Sequence, residues 1–377
     1  MSVEAATTSP ATVDERRIRV IWNTSAGQKG AISTNATTEE TMRELLQRFR
    51  LGDELHATDG PDEARELARQ AVRDGYDVVV AAGGDGTIAL VATELLGTPV
   101  ALGILPLGSV MNVPRMLGLP RELEEAARIV ATGIVRAVDV GEANGSPFYE
   151  TASVGMNAAM FREAHQFEKG DYGSPLRVLW VAFRYRPARM RLALDGEPLR
   201  TRALMITISN GPYTGVGMTV APDARLDDGR FDVRVFRRFS KVELLRHLGS
   251  IAFGRRSYSP HVSTHRAQTV RVDSARPLPC RADSHDLGTT PLECRVSAGA
   301  LRVLVAPDAP ADGGNMKDEP TPSAGEAAFV PSARSRGSMP PGTLPTTRLQ
   351  ARRRPRGRRW VTDRRILRRL RLRPTAA

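Results

Sequence analysis

Cysteine is almost missing from this chain: Cys280 and Cys294 are the only two in 377 residues. That excludes a small disulfide-stapled scaffold. Met1–Glu15 has neither a basic start nor an apolar centre, so no secretion signal is expected. The reading is two inert thiols in a reducing, cytoplasmic compartment. Lysine is also scarce, with four against fifty arginines. Codon bias accounts for that without any recognition chemistry. Long apolar runs are lacking too. The longest uncharged run, Leu95–Pro114, is broken by Gly97, Pro99, Gly103, Pro106 and Gly108, which rules it out as a membrane span. Acidic surplus is absent, since the net charge is +12. Most of that charge is local. From Asp308 to the end there are sixteen Lys/Arg against six Asp/Glu, which leaves a near-neutral body.

What is present is an alternation of strand and helix patterns over residues 16–140. Ile18–Trp22, Val78–Ala82 and Val100–Leu105 read as strands, with another near Ala137–Val140. Met42, Leu45, Leu46 and Phe49 fall on one helical stripe, and Ala64, Leu67, Ala68 and Ala71 on a second. Pro61 opens that second helix and Gly75 follows its end. Ile88–Leu96 and Arg121–Ala131 complete the helices. This is an open, doubly wound α/β sheet, a class that binds ligands beyond the carboxyl ends of its strands.

After Val140 the pattern turns β-rich. Met190, Leu192 and Leu194 alternate. Ala203–Ser209, Phe231–Phe236, Thr269–Val272 and Leu301–Val305 are further strands, and only Val242–Phe253 reads clearly as a helix. The expected organisation is an α/β nucleotide-binding domain over 16–140, a β-rich domain over 141–306 and a disordered tail over 307–377, with the active site in the cleft between the first two. The tail ends in Arg352–Arg373, with twelve arginines and one acid. Trp360, Ile366, Leu367 and Leu370 can share a face of a short helix there, which suits an anionic membrane surface. A solvated arginine-rich tail is the bland alternative. Specific nucleic-acid binding is not expected.

The most informative stretch is Gly83-Gly84-Asp85-Gly86-Thr87, between a buried strand and a helix. Glycines let backbone N–H groups and a helix N-terminus approach a phosphate. Asp85 would repel a bare phosphate, so its presence points to a cation between them and to a metal–nucleotide complex. The stretch resembles the nucleotide-binding signature of diacylglycerol kinase-type lipid kinases, and also that of NAD kinases and phosphofructokinases. Asn23-Thr24-Ser25-Ala26-Gly27 and Leu105-Pro106-Leu107-Gly108-Ser109 resemble the lipid kinases' other two phosphate loops. The block Asn210-Gly211-Pro212-Tyr213 … Ala221-Pro222-Asp223-Ala224-Arg225-Leu226-Asp227-Asp228-Gly229 separates lipid kinases from the other two groups. The resemblance runs from about Arg16 to Ala306.

It implies an NAD kinase-like α/β domain followed by a β-sandwich. It also implies transfer of the γ-phosphate of ATP, with Mg2+, to a lipid hydroxyl, diacylglycerol being the default acceptor. A sphingoid base, another glycerolipid and a polyprenol stay open, as does a homodimer. The enzyme would then act in the cytoplasm or on the inner membrane face. The implied cradle is Asn23, Thr58, Gly83, Gly84, Asp85, Gly86, Thr87, Gly108 and Ser109. Asp85 would serve the magnesium–nucleotide complex and Asp139 the reacting centre. A structural magnesium would be held by Asp228 and the carbonyls of Arg225 and Arg230. Relatives carry Asp-Gly-Glu where this chain has Asp283-Ser284-His285. His285 is therefore expected to stand in for their glutamate as base, with Asp286 the next substitute. A non-catalytic lipid- or nucleotide-binding protein that kept the fold and lost its base is the rival reading, and a soluble kinase of the NAD kinase type is a third.

Overall fold

The computed structural model describes residues 16–26, 37–168, 174–215, 217–237 and 262–309. The helix expected at Val242–Phe253 and the arginine-rich tail lie outside them.

The first half follows the expected alternation: β1 (Ile18–Asn23), α1 (Glu39–Arg48), β2 (Leu55–Thr58), α2 (Pro61–Arg73), β3 (Val78–Gly83), α3 (Asp85–Leu95), β4 (Ala101–Pro106), the short α4 (Asn112–Met116), α5 (Leu123–Thr132) and β5 (Ile134–Ala143). Strands β2, β1, β3 and β4 pair in parallel in that order. β3 and β4 are buried along their whole length, as parallel strands covered on both faces must be. Helices α2 and α3 pack on one face through Ala68, Ala71, Val91 and Leu95, and α1 and α5 on the other through Met42, Leu46, Ala127 and Val130. The carboxyl ends of the four strands therefore share one rim, where Asn23, Thr58, Gly83 and Pro106 stand.

The second half comprises β6 (Ser146–Phe148), β7 (Thr151–Gly155), α6 (Met156–Glu168), α7 (Ser174–Arg184), β8 (Ala188–Leu194), β9 (Glu197–Ala203), β10 (Met205–Ser209), β11 (Tyr213–Thr214), β12 (Met218–Thr219), β13 (Phe231–Phe236), β14 (Val262–Ala267), β15 (Thr269–Ser274), β16 (Pro279–Ala282), β17 (His285–Thr289) and β18 (Leu292–Val305). β14, β13, β10, β7, β16 and β17 form an antiparallel sheet. It faces β8, β15 and the first part of β18 across a core of Phe148, Val154, Met190, Leu192, Ile208, Phe231 and Val233. This is the β-sandwich. The long strand β18 belongs to both halves. Its beginning pairs with β15, and its end lies parallel to β4 and antiparallel to β5.

Helices α6 and α7 are a correction to the sequence reading, which placed only one helix in this half. The run Val178–Phe183 is rich in Val, Trp and Phe and looks strand-like. The decisive feature is Ser174-Pro175, a helix start followed by proline in the first turn. Both cysteines, in β16 and β18, are buried and free, and burial pushes the Cys280 thiol up to about 12. They are inert, as expected.

Gly141 shows how tightly the sandwich closes. It pairs with Phe148, whose ring lies where a Cβ would stand. The same ring stacks on Phe231, with centroids 5.5 Å apart. Truncating a buried aromatic costs about 3–5 kcal/mol. Phe148→Ala is therefore expected to lower the melting temperature by roughly 10 °C. A loss of only a degree or two in a thermal melt would show that this core is not close-packed.

Candidate active site

Three loops converge at the rim of the parallel sheet. After β1, the Asn23 amide donates to Thr87 Oγ1 at 2.9 Å, while its own oxygen accepts from Ser25 N and Oγ. The first loop is thus clipped to the start of α3. Thr24 Oγ1 donates to Asp59 at 2.6 Å and ties the first loop to the turn after β2. The third loop meets the glycine turn at van der Waals distance. A Cβ on Gly108 would lie 2.8 Å from the Gly84 Cα, so neither loop could come this close with a side chain there. Between the loops lies a cleft of about 460 Å³. Every residue expected in the cradle lines it except Gly83, which ends β3 behind it. Its floor is the N-terminus of α3, with unpaired N–H groups and a positive dipole end.

Asp85 lies in this cleft, and its carboxylate also has internal work. Oδ2 accepts Asn112 N at 3.1 Å and Oδ1 accepts Val113 N at 3.0 Å. It thereby caps α4, whose lead-in residue Met111 is left-handed at φ 58°. Burial pushes the carboxyl up, and the two amides oppose that shift. An ionised carboxylate offers about four acceptor positions, so two amide bonds leave room for a cation.

Asp139 is not among the residues lining the cleft. It is buried, with Oδ2 on Gly229 N at 2.6 Å and Oδ1 on Gly299 N at 2.8 Å. Its carbonyl accepts the Asn210 amide at 3.0 Å. It brackets the Asp227-Asp228-Gly229 turn and the bend in β18. Asp228 accepts Arg230 N at 3.0 Å on one oxygen and carries the Arg266 guanidinium on the other. The acid assigned by resemblance to a structural magnesium thus already faces a cation of the chain's own. A metal held there with the Arg225 and Arg230 carbonyls would have to share or displace it.

His285 is exposed at the start of the edge strand β17, and among the described residues no hydrogen bond or ion pair fixes its ring. Asp286 is engaged in a two-pronged pair with Arg162, both contacts at 2.6 Å, which holds its carboxyl below the usual range. Asp283 is turned inward from the left-handed turn between β16 and β17. It accepts Tyr149 N at 2.7 Å and Glu150 N and Thr151 N at 3.0 Å.

Sequence reasoning missed Glu150. Its carboxylate accepts Gly215 N at 3.1 Å and faces the Asn112 amide, and Asp283 and Asp85 press on it electrostatically. Burial first, and then those two acids, push it up to about 8. Burial pushes the neighbouring Asp283 carboxyl up too, against the pull of its three amide donors. The available clue was an acid directly before the small-residue strand Thr151–Gly155. Arg281 completes the cluster, buried over the Phe161 ring at 3.8 Å, with burial pulling its guanidinium down.

A pH dependence of stability follows. Unfolded, Glu150 titrates near its ordinary 4.5; folded, it holds its proton to about 8. The folded state binds the extra proton across that window, so stability falls as pH rises through it. Urea unfolding at a series of pH values should show the decline, and Glu150→Gln should flatten it. An unchanged slope in the variant would place the proton elsewhere.

Two family models match the chain: the diacylglycerol kinase catalytic domain over residues 17–143 and the YegS C-terminal NAD kinase beta sandwich-like domain over 151–305. A diacylglycerol kinase of Mycobacterium tuberculosis is 31% identical over 251 residues, covering 64% of this chain and 81% of the relative. A diacylglycerol kinase of Bacillus subtilis is 27% identical, covering 74% and 92%. A probable YegS-like lipid kinase of Pseudomonas aeruginosa is 28% identical, covering 78% and 96%. The crystal structure of a putative diacylglycerol kinase from Bacillus anthracis shares the fold, with a TM-score of 0.63 at 21% identity, covering 78% of this chain and 98% of that one. The glycine cleft, the sandwich and these matches, in the same order along the chain, agree: the protein belongs to the diacylglycerol kinase-type family and is a lipid kinase.

Proposed function

We propose that this kinase transfers the γ-phosphate of ATP, bound with magnesium, to a hydroxyl of a membrane lipid, with diacylglycerol as the leading acceptor. The observation that carries the reading is the contact of Gly84 with Gly108 above the α3 N-terminus, in a cleft clipped shut by Asn23 and Thr87. Such a cradle of backbone N–H groups fits a polyphosphate and does not fit a bulky apolar ligand. The names of the relatives support the acceptor class.

Within this reading residues 16–140 hold the nucleotide and residues 141–306 present the lipid. Asn23, Thr58, Gly84, Gly86, Thr87, Gly108 and Ser109 surround the phosphates, with Gly83 shaping the turn behind them. Asp85 is assigned to the magnesium–nucleotide complex. The metal, when bound, neutralises the charge that gathers on the phosphates. Asp139 is assigned a positioning role, because both its oxygens are held by amides. A structural magnesium at Asp228, with Arg225 and Arg230, remains part of the reading only if it coexists with Arg266. The arginine-rich terminus, Arg352–Arg373, is assigned to an anionic membrane surface on its composition. No helix among the described residues is long and apolar enough to cross a membrane.

Label from γ-labelled ATP–magnesium is expected in a lipid of a total lipid extract and in added diacylglycerol. Asp85→Asn removes the charge and leaves a single acceptor for two amides. It is expected to lower transfer by about 100-fold or more. Breaking one buried bond to a charged group should also lower the melting temperature by several degrees. Wild-type turnover by that variant would remove the metal assignment. A folded wild type that labels no lipid would remove the reading as a whole.

A further inference from the structure

The glycine cleft changes character along its length. Trp22 is in register with Ala57 of β2 and with Ala82 of β3, so the chain leaves the three strands at one level. With β1 between them, the turn after β2 lies two strand spacings, roughly 10 Å, from the glycine turn after β3. The glycine end presents main-chain N–H groups and the α3 N-terminus. The other end is lined by Pro61 and Ala64 at the start of α2 and by Leu90 of α3, a small apolar seat. Between Thr58 and that seat stands Asp59, the second acid of the cleft. Its N–H reaches Glu63 at 3.4 Å, which holds its backbone against the first turn of α2. Its carboxylate is tied at one oxygen only. Oδ1 accepts from Thr24 Oγ1 at 2.6 Å, while Oδ2 takes no hydrogen bond among the described residues.

We propose that Asp59 accepts a hydrogen bond from a ribose hydroxyl of the bound nucleotide and so selects ribonucleotides. This rests on the ATP reading above. The order of groups along the cleft carries it: glycines, then Thr58, then Asp59, then the apolar seat. A nucleotide has the same order, with phosphates, sugar and base. A carboxylate set beside a phosphate would repel it. A sugar hydroxyl is a donor, and a carboxylate oxygen without a partner can take it. Thr24 is the positioning residue. By holding Oδ1 it fixes the carboxylate before a ligand arrives, which lowers the ordering cost of binding. The first loop and the turn after β2 thus make up the sugar's side of the cleft. A hydrogen bond to a charged group is worth about 10- to 100-fold in affinity, enough to separate a nucleotide from its deoxy form.

The test is calorimetric titration of the full chain with the magnesium complexes of ATP, 2′-deoxy-ATP and 3′-deoxy-ATP. No lipid is added, so binding is read apart from transfer. Wild type is expected to bind at least one deoxy analogue about 10-fold or more weakly than ATP. Asp59 is exposed, so Asp59→Ala should fold as wild type does. That variant should lose about 10-fold or more in ATP affinity and bind the weaker analogue as wild type does, which closes the gap. Thr24→Val, which keeps the shape without the hydroxyl, should narrow the gap in part, and an undiminished gap there would remove the role of Thr24. Equal wild-type affinity for all three nucleotides would overturn the proposal, as would a gap that survives in Asp59→Ala. So would an Asp59→Ala that weakens ATP and both analogues alike, the mark of a metal ligand or of a contact to the base. A wild type that binds none of the three would sink the ATP reading, and the sugar contact with it. ATP binding without a preference leaves that reading standing, so the two failures are told apart.

Discussion

Loops that leave strand ends carry main-chain N–H groups that no ladder partner takes, and in this fold buried carboxylates take them. Asp85 holds the amides of Asn112 and Val113, Asp139 those of Gly229 and Gly299, and Asp283 those of Tyr149, Glu150 and Thr151. Each bond joins a charge to an amide in a partly or fully dry place, where such bonds are roughly twice as strong as neutral ones. Each acid also joins segments far apart in sequence. Asp85 holds the glycine turn against the third phosphate loop, Asp139 holds the Asp228 turn against β18, and Asp283 holds the β16–β17 turn against β7. The surfaces that meet a nucleotide and an acceptor are loops, and these carboxylates give them fixed positions on the sheets.

The device has an electrostatic consequence. Carboxylates gathered behind the loops raise the cost of a further negative charge nearby. Glu150 meets that cost. Burial pushes the carboxyls of Asp283 and Asp85 up as well, and the amides they hold, with Arg281 beside Asp283, pull the other way. For Glu150 burial comes first and those two acids add to it, so that it holds its proton to about 8. The arrangement that steadies the loops is therefore also the one that tunes a titratable group beside them.

Much of the frame was legible in the sequence because it rests on local patterns. The apolar stripes of α1 and α2, the buried runs of β3 and β4 and the glycine turn before α3 each depend on residues within a few positions of one another. So do Asn23, Thr87 and Gly108, which stand at a strand end, in the first turn of the helix after the glycine turn and in the loop after β4. What was not legible depends on partners far along the chain. Asp139 looks like a catalytic acid at a strand end until Gly229 and Gly299, 90 and 160 residues away, are seen to hold its two oxygens. Glu150 looks like an incidental charge until the β16–β17 turn folds over it. Helices α6 and α7 failed for another reason, since the composition of α7 favours a strand and the helix start at Ser174-Pro175 outweighs it.

Asn112 shows why the two halves of the site answer to each other. Its main-chain N–H ends on Asp85 in the glycine cleft, and its side-chain amide donates to the hairpin carbonyl of Gly215 and faces Glu150. A cation or phosphate that pulls on Asp85 must therefore also pull on α4, which carries Asn112 against the hairpin. The hairpin holds the Glu150 carboxyl through Gly215 N. The glycine cleft and the Glu150 carboxyl are then linked through one residue and the hairpin. Because both sheets are close-packed around β18, a small shift at Asn112 has few other places to go.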